Sequence, residues 1–108
     1  MVPVISRDEL KAKIDRKDSF FLVETLPATA YLMVHLPGAI NLPLDGLERL
    51  AASVLPDKSA EIVVYCATPS CSASEAAAEK LMGLGYSNVK DYAGGKQDWI
   101  DAGFPVTG

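Results

Sequence analysis

Apolar residues in this chain switch between two spacings. Short continuous or alternating runs rich in Val, Ile, Phe and Tyr give way to longer stretches in which Leu, Ala and Ile recur three or four positions apart; the first pattern predicts strands and the second helices. Residues 2–5 are short and apolar and predict a first strand. Ser6 with Glu9 then forms a capping box that opens an amphipathic helix running to about Arg16. Residues 20–23 read as a buried strand ending at Glu24. Between residues 25 and 36 the signal is mixed: Pro27 can start a short helix, with Ala28, Tyr31, Leu32 and Val34 on an apolar side. Residues 36–39, Leu-Pro-Gly-Ala, are a turn, and residues 40–42 a brief strand closed by Pro43.

Helical spacing returns over residues 44–55 through Leu47, Leu50, Ala51 and Val54, and stops before Pro56. The run Ile62, Val63, Val64, Tyr65 is a fourth strand, ending at Cys66. After a short loop, Ser72 and Glu75 present a second capping box, which places Ser72 at the N-cap of a helix stopped by Gly83 and Gly85. Residues 88–92 predict a last strand. Gly94-Gly95 is a flexible turn, and residues 96–102 a closing helix with Trp99 and Ile100 turned inward. Strands alternating with helices in this way predict a mostly parallel sheet covered by helices on both faces, in a single domain over residues 1–108.

The chemistry gathers where residue 66 meets the second capped helix. Only small or polar residues separate Cys66 from Ser72, so the loop must curl, and its amides can converge on the object at its centre. If that object is the Cys66 sulfur, amides and helix dipole favour the thiolate, which is a nucleophile; the same surroundings suit a persulfide anion. The plainer reading is a small core residue at a strand end. A position at the C-terminal edge of a parallel strand, where ligands bind in open α/β sheets, raises the weight of the first.

Composition narrows the classes. A net charge of −4 and a pI of about 4.8 argue against nucleic acid and offer no basic face to an anionic membrane. No 18-residue apolar run and no basic-then-apolar leader is visible at residues 1–10, so the expected location is the cytoplasm. Two cysteines and one histidine, His35, make neither a secreted disulfide framework nor a zinc site, and no metal or cofactor is expected. Those thiols read as chemistry.

Four separated motifs resemble the rhodanese-like family in its single-domain form: residues 35–43, His-Leu-Pro-Gly-Ala-Ile-Asn-Leu-Pro; Val64-Tyr65-Cys66; residues 85–89, Gly-Tyr-Ser-Asn-Val; and Gly94-Gly95 with Trp99 through Gly103-Phe104-Pro105-Val106. The resemblance implies a five-stranded mostly parallel sheet with helices on both faces. It also implies sulfurtransferase chemistry, in which Cys66 takes a sulfane sulfur, holds it as a persulfide and yields it to a thiol or to cyanide. Many members carry glycine inside the loop and arginine at its end, where this chain has Pro69 and Cys71. Pro69 has no N–H, leaving Ala67, Thr68, Ser70, Cys71 and Ser72 as the amides that would bind substrate. The loop carries no charge, so thiosulfate is expected to be a poorer donor than a persulfide or polysulfide.

Near Glu24 the family pattern Asp-Val-Arg becomes Glu-Thr-Leu, which removes another cation and leaves Glu24 and Lys96 as possible rim residues. A curling loop can bring Cys71 into disulfide range of Cys66 as a resolving thiol; the alternative is a small residue filling space beside the helix. His35 reads as scaffold rather than catalyst, Trp99, Tyr65 and Tyr86 as core, and Asp45, Asp57 and Asp98 as solvated or capping carboxylates. Two other functional classes compete. One is a non-catalytic rhodanese-like binding or redox-sensing module; the other is phosphatase or arsenate reductase chemistry, which wants a longer loop ending in arginine. The expected partners are a sulfane-sulfur donor and a thiol acceptor.

Overall fold

The computed structural model describes residues 2–108. Its elements in chain order are α1 (Arg7–Asp15), β1 (Phe21–Glu24), α2 (Ala28–Met33), β2 (Ile40–Asn41), α3 (Leu47–Val54), β3 (Ile62–Tyr65), α4 (Ala73–Gly83), β4 (Val89–Tyr92) and α5 (Gly95–Asp101). The four strands form one sheet in the order β2-β1-β3-β4, every pair parallel.

A fifth strand was expected at residues 2–5 and is reduced to a single parallel bridge, Val4 to Asp91. Among the described residues two hydrogen bonds hold it, from the Ile5 N–H to the Asp91 carbonyl (3.1 Å) and from the Asp91 N–H to the Pro3 carbonyl (2.8 Å). Pro3 has no N–H to extend the ladder, and Val4 is 70% exposed, so neither backbone nor side chain favours a longer pairing.

Both faces of the sheet are covered, and side-chain alternation sorts each strand between them. Val23, Ile62, Val64 and Val89 point to the side packed by Leu47, Ala51 and Leu55 of the α3 region and by Ala77, Ala78 and Leu81 of α4. Leu22, Val63 and Tyr65 point to the other side, with Leu10 of α1 and Trp99 of α5. Alanines on the inner side of α4 let that helix lie close over β3. Trp99 is fully buried, donates its indole N–H to the Pro105 carbonyl (2.8 Å) and meets Tyr92 and Phe104 edge-on. Ile100, expected inside, is 37% exposed, because α5 is short and offers the core a single row of side chains.

The Ser6 capping box forms as the sequence suggests, with Ser6 Oγ accepting from the Glu9 N–H and the Ser6 N–H donating to the Glu9 carboxylate, both at 3.1 Å. Among the described residues no helix is long and apolar enough to cross a membrane.

Candidate active site

The C-terminal ends of β1, β2, β3 and β4 share one edge. From β1 the chain turns outward to β2, and from β3 it turns the other way to β4. The loops after β1 and β3 therefore diverge, leaving the crevice in which open α/β sheets bind their ligands. Cys66 is the first residue beyond β3 in that crevice.

Backbone from α5 fixes where the Cys66 loop begins. The Lys96 N–H donates to the Cys66 carbonyl and the Gln97 N–H to the Ala67 carbonyl, each at 2.8 Å. Contact this close needs glycine at position 95. Its φ is +79°, and a Cβ there would lie 2.9 Å from Ala67 C, Ala67 O and Thr68 N. What the sequence suggests is a flexible Gly-Gly turn is a tight backbone-to-backbone seat.

The loop then makes a turn over residues 68–71, closed by the Cys71 N–H donating to the Thr68 carbonyl (3.0 Å), with Pro69 at the position that favours its fixed φ. This turn folds Cys71 back over Cys66, and the two sulfurs are joined as a disulfide with Cα atoms 6.4 Å apart. Cys66 is 1% exposed while Cys71 is half-buried. Cys66 Sγ lies 3.3 Å from the Cys71 carbonyl oxygen and 3.5 Å from Ser74 Oγ.

Such an arrangement corrects the expected ring of five inward donors. The Cys71 amide is committed to the turn, and in the disulfide state no loop amide donates to Cys66 Sγ, since the cross-link brings the Cys71 carbonyl to that sulfur instead. The Ala67, Thr68, Ser70 and Ser72 amides pair with no acceptor among the described residues. Ser72 is the N-cap of α4, as expected, but its capping box does not form. Its backbone is helical (φ −95°, ψ 0°) rather than extended, so its hydroxyl cannot swing over the first turn. The first amides of α4 stay uncapped beside the sulfur pair.

Glu24 and Lys96 are not on a rim; Glu24 has no exposure and Lys96 is 7% exposed. Lys96 Nζ donates to Glu24 Oε2 at 3.0 Å, to the Ala30 carbonyl at 3.2 Å and to the Val34 carbonyl. The Tyr65 hydroxyl donates to Glu24 Oε1 (2.8 Å) and accepts from the Leu36 N–H (3.2 Å). Burial, and then the Glu24 charge, push the Tyr65 phenol far above its usual range, so it stays a donor. This cluster ties α5 to α2 and β1, and its cation is fully occupied.

Two residues that sequence reasoning passes over stand near the loop. Ser74 is buried with its hydroxyl at the Cys66 sulfur. Asp91, 6% exposed, has Oδ1 without a partner, and lines a cavity of about 180 Å³ together with Pro69, Ser70, Cys71, Ser72, Glu75 and Ala93. Burial raises the Asp91 carboxyl above the ordinary carboxylate value, with the Ser74 hydroxyl pulling it partly back and the Glu75 charge pushing further up. In sequence Asp91 follows Lys90 in a short mixed strand and looks like an ordinary solvated charge, so nothing local marks it. A second, mostly apolar cavity of about 530 Å³ lies between the loop after β1 and Ala73, walled by Leu26, Pro27, Pro43 and Leu44.

His35 is scaffold: its ring stacks on Tyr31 with centroids 4.0 Å apart, its Nδ1 lies 2.9 Å from the Tyr31 carbonyl, and its backbone pairs with Thr107. Among the described residues no three His, Cys, Asp or Glu side chains gather so as to hold a metal ion.

A parallel sheet with helices on both faces and a cysteine loop at its switch point, seated on a Gly-Gly helix start, defines a small open α/β domain with a thiol at the crevice. The rhodanese-like domain model matches residues 6–102, and the chain belongs to that family. Among curated proteins it is 35% identical over 103 residues to the adenylyltransferase and sulfurtransferase UBA4 of Candida albicans, covering 90% of this chain but 23% of that protein. It is also 30% identical over 111 residues to the thiosulfate:glutathione sulfurtransferase of Saccharomyces cerevisiae, covering 91% of this chain and 78% of the other. Among solved structures, the BH2092 protein of Bacillus halodurans superposes with a TM-score of 0.91 at 28% identity, over 98% of this chain and 77% of that one. The family's relatives of this chain include sulfurtransferases and a putative sulfur carrier.

Proposed function

We propose that this chain is a sulfurtransferase or sulfur carrier that takes sulfane sulfur onto Cys66 as a persulfide and yields it to a thiol or to cyanide. The observation that carries this reading is the placement of Cys66. It opens the loop at the switch point, beside unclaimed amides of residues 67, 68, 70 and 72 and the uncapped start of α4. Those donors supply what a persulfide anion needs and what a disulfide leaves unused.

Donor choice follows from charge. The loop has no cation, Lys96 is held by Glu24 and two carbonyls, and the cavity beyond Cys71 is bounded by Glu75 and Asp91. A dianion such as thiosulfate finds no charged partner there, so donors carrying a single charge, a persulfide or a protonated polysulfide, are favoured. A thiol acceptor is consistent with the expected cytoplasmic location, where thiols are kept reduced.

The test is intact mass of a Cys71→Ser chain, in which a single thiol can carry the adduct. A singly charged donor, cysteine persulfide, should add one sulfur, removable by cyanide, at least about tenfold faster than thiosulfate does, a margin of about 1.4 kcal/mol in the barrier. The same chain with Cys66→Ser added should take up none. No adduct with either donor would overturn the reading and leave a rhodanese-like binding module.

A further inference from the structure

The second cysteine gives the site something that transfer alone does not require. Cys71 is on the same loop as Cys66, the turn at Pro69 returns it across the mouth, and the two sulfurs are in bonding contact. Any sulfur carried on Cys66 thus has a thiol of its own chain within reach of the bond that holds it. An internal thiol meets its target at an effective concentration far above that of a dissolved one.

We propose that this protein reduces sulfane sulfur to sulfide within one chain, Cys71 displacing the sulfur held on Cys66 and leaving the Cys66–Cys71 disulfide. The inference rests on the persulfide reading above. In the step, Cys71 Sγ forms a bond to Cys66 Sγ as the bond from Cys66 Sγ to the outer sulfur breaks. The electron pair leaves on the outer sulfur, which takes the Cys71 proton and departs as hydrosulfide. The sulfane sulfur gains two electrons, and each cysteine sulfur gives up one. Amides of residues 67, 68, 70 and 72, on the same loop and free of protein acceptors, are donors available to the anion as it forms.

Resetting the site takes two equivalents of a low-molecular-weight thiol. The first attacks Cys71, which is half-buried and lines the 180 Å³ cavity, rather than Cys66, which is 1% exposed. Cys66 leaves as the thiolate, and a mixed disulfide remains on Cys71. The second thiol attacks the external sulfur of that mixed disulfide, releasing Cys71 and a small-molecule disulfide. Over the cycle one sulfane sulfur and two thiols become one sulfide and one disulfide.

The experiment is a single turnover without added thiol. Fully reduced wild-type protein and Cys71→Ser receive one equivalent of sulfane sulfur as inorganic polysulfide under anaerobic conditions, and intact mass is followed together with free sulfide, counted beyond the sulfide that the polysulfide itself leaves behind when it hands over its sulfur. Wild type should release one sulfide per chain beyond the donor's own and finish lighter than its reduced form by two hydrogens. Cys71→Ser should keep one added sulfur and release sulfide at least about tenfold more slowly; a far-UV circular dichroism spectrum matching that of wild type shows that it is folded. Wild type retaining its added sulfur as long as Cys71→Ser does, or the two releasing sulfide equally fast, overturns the inference and leaves the carrier reading standing. If neither chain takes up sulfur, both fall.

Discussion

Two regions flank the end of β3, and they treat their polar groups in opposite ways. On the β1 side, a carboxylate, an ammonium, a phenol and several backbone groups are packed out of water, and the donors and acceptors among them are matched: Tyr65 and Lys96 on Glu24, and Lys96 on the Ala30 and Val34 carbonyls. On the loop side there is no charged side chain from residue 66 to residue 72, and backbone donors are left without partners. Residue 96 belongs to both, its side chain to the first and its N–H to the second. The contrast teaches that the buried charge here is structural, and that the chemistry is left to sulfur and amides.

Removing one member of the matched side gives the largest effect. Lys96→Met leaves the Glu24 carboxylate buried and uncompensated, an expected loss of about 3–5 kcal/mol. Adding Glu24→Gln removes the stranded charge. The double variant should recover at least about half of that loss, because a buried pair is worth much less than the damage done by breaking it. Denaturant midpoints of the three chains at neutral pH measure this. If the single and double variants are equally unstable, the cluster acts through packing alone, and the contrast drawn above is wrong.

Gly95 sharpens the comparison from the loop side. A Cβ at position 95 meets the backbone of residues 67 and 68 at 2.9 Å on a residue with φ +79°, and backbone cannot rotate away as a side chain can. Gly95→Ala should cost about 2–3 kcal/mol in a denaturant titration. It should also lower the sulfur-loading rate of the folded fraction, because the loop's first carbonyls lose their seat on α5. Full loading at reduced stability would show that the loop does not depend on this seat.

Much of this architecture could be read from periodicity. The runs at 20–24 and 62–65 hold strands, because continuous apolar stretches between turn signals suit a sheet buried on both faces, and 88–92 holds another between glycine turns with Val89 and Tyr92 as its apolar residues. Cys66 is legible for the same reason, as the residue at which such a run ends. What sequence left open depends on distance or on geometry finer than pattern. Glu24 and Lys96 lie 72 positions apart, so nothing local links them, and each alone looks like an exposed charge. Pro69 was read as a missing donor, although its turn is what returns Cys71 to Cys66. Residues 2–5 carry the right side chains for a strand, and Pro3 and the exposed Val4 limit them to one bridge.

The smallest effect compares two helix starts that look alike in sequence. Ser6-Glu9 and Ser72-Glu75 have the same spacing, yet only the first closes. Ser6→Ala should therefore cost about 1 kcal/mol, the usual worth of a formed cap. Ser72→Ala should stay within about 0.5 kcal/mol, as for a surface side chain with no bond to lose. Paired thermal or denaturant midpoints distinguish the two. A cost at Ser72 equal to that at Ser6 would mean that the hydroxyl does hold the start of α4. In that case the amides there are claimed by the protein itself, and the open donors on which anion binding at this loop depends are fewer than the geometry gives.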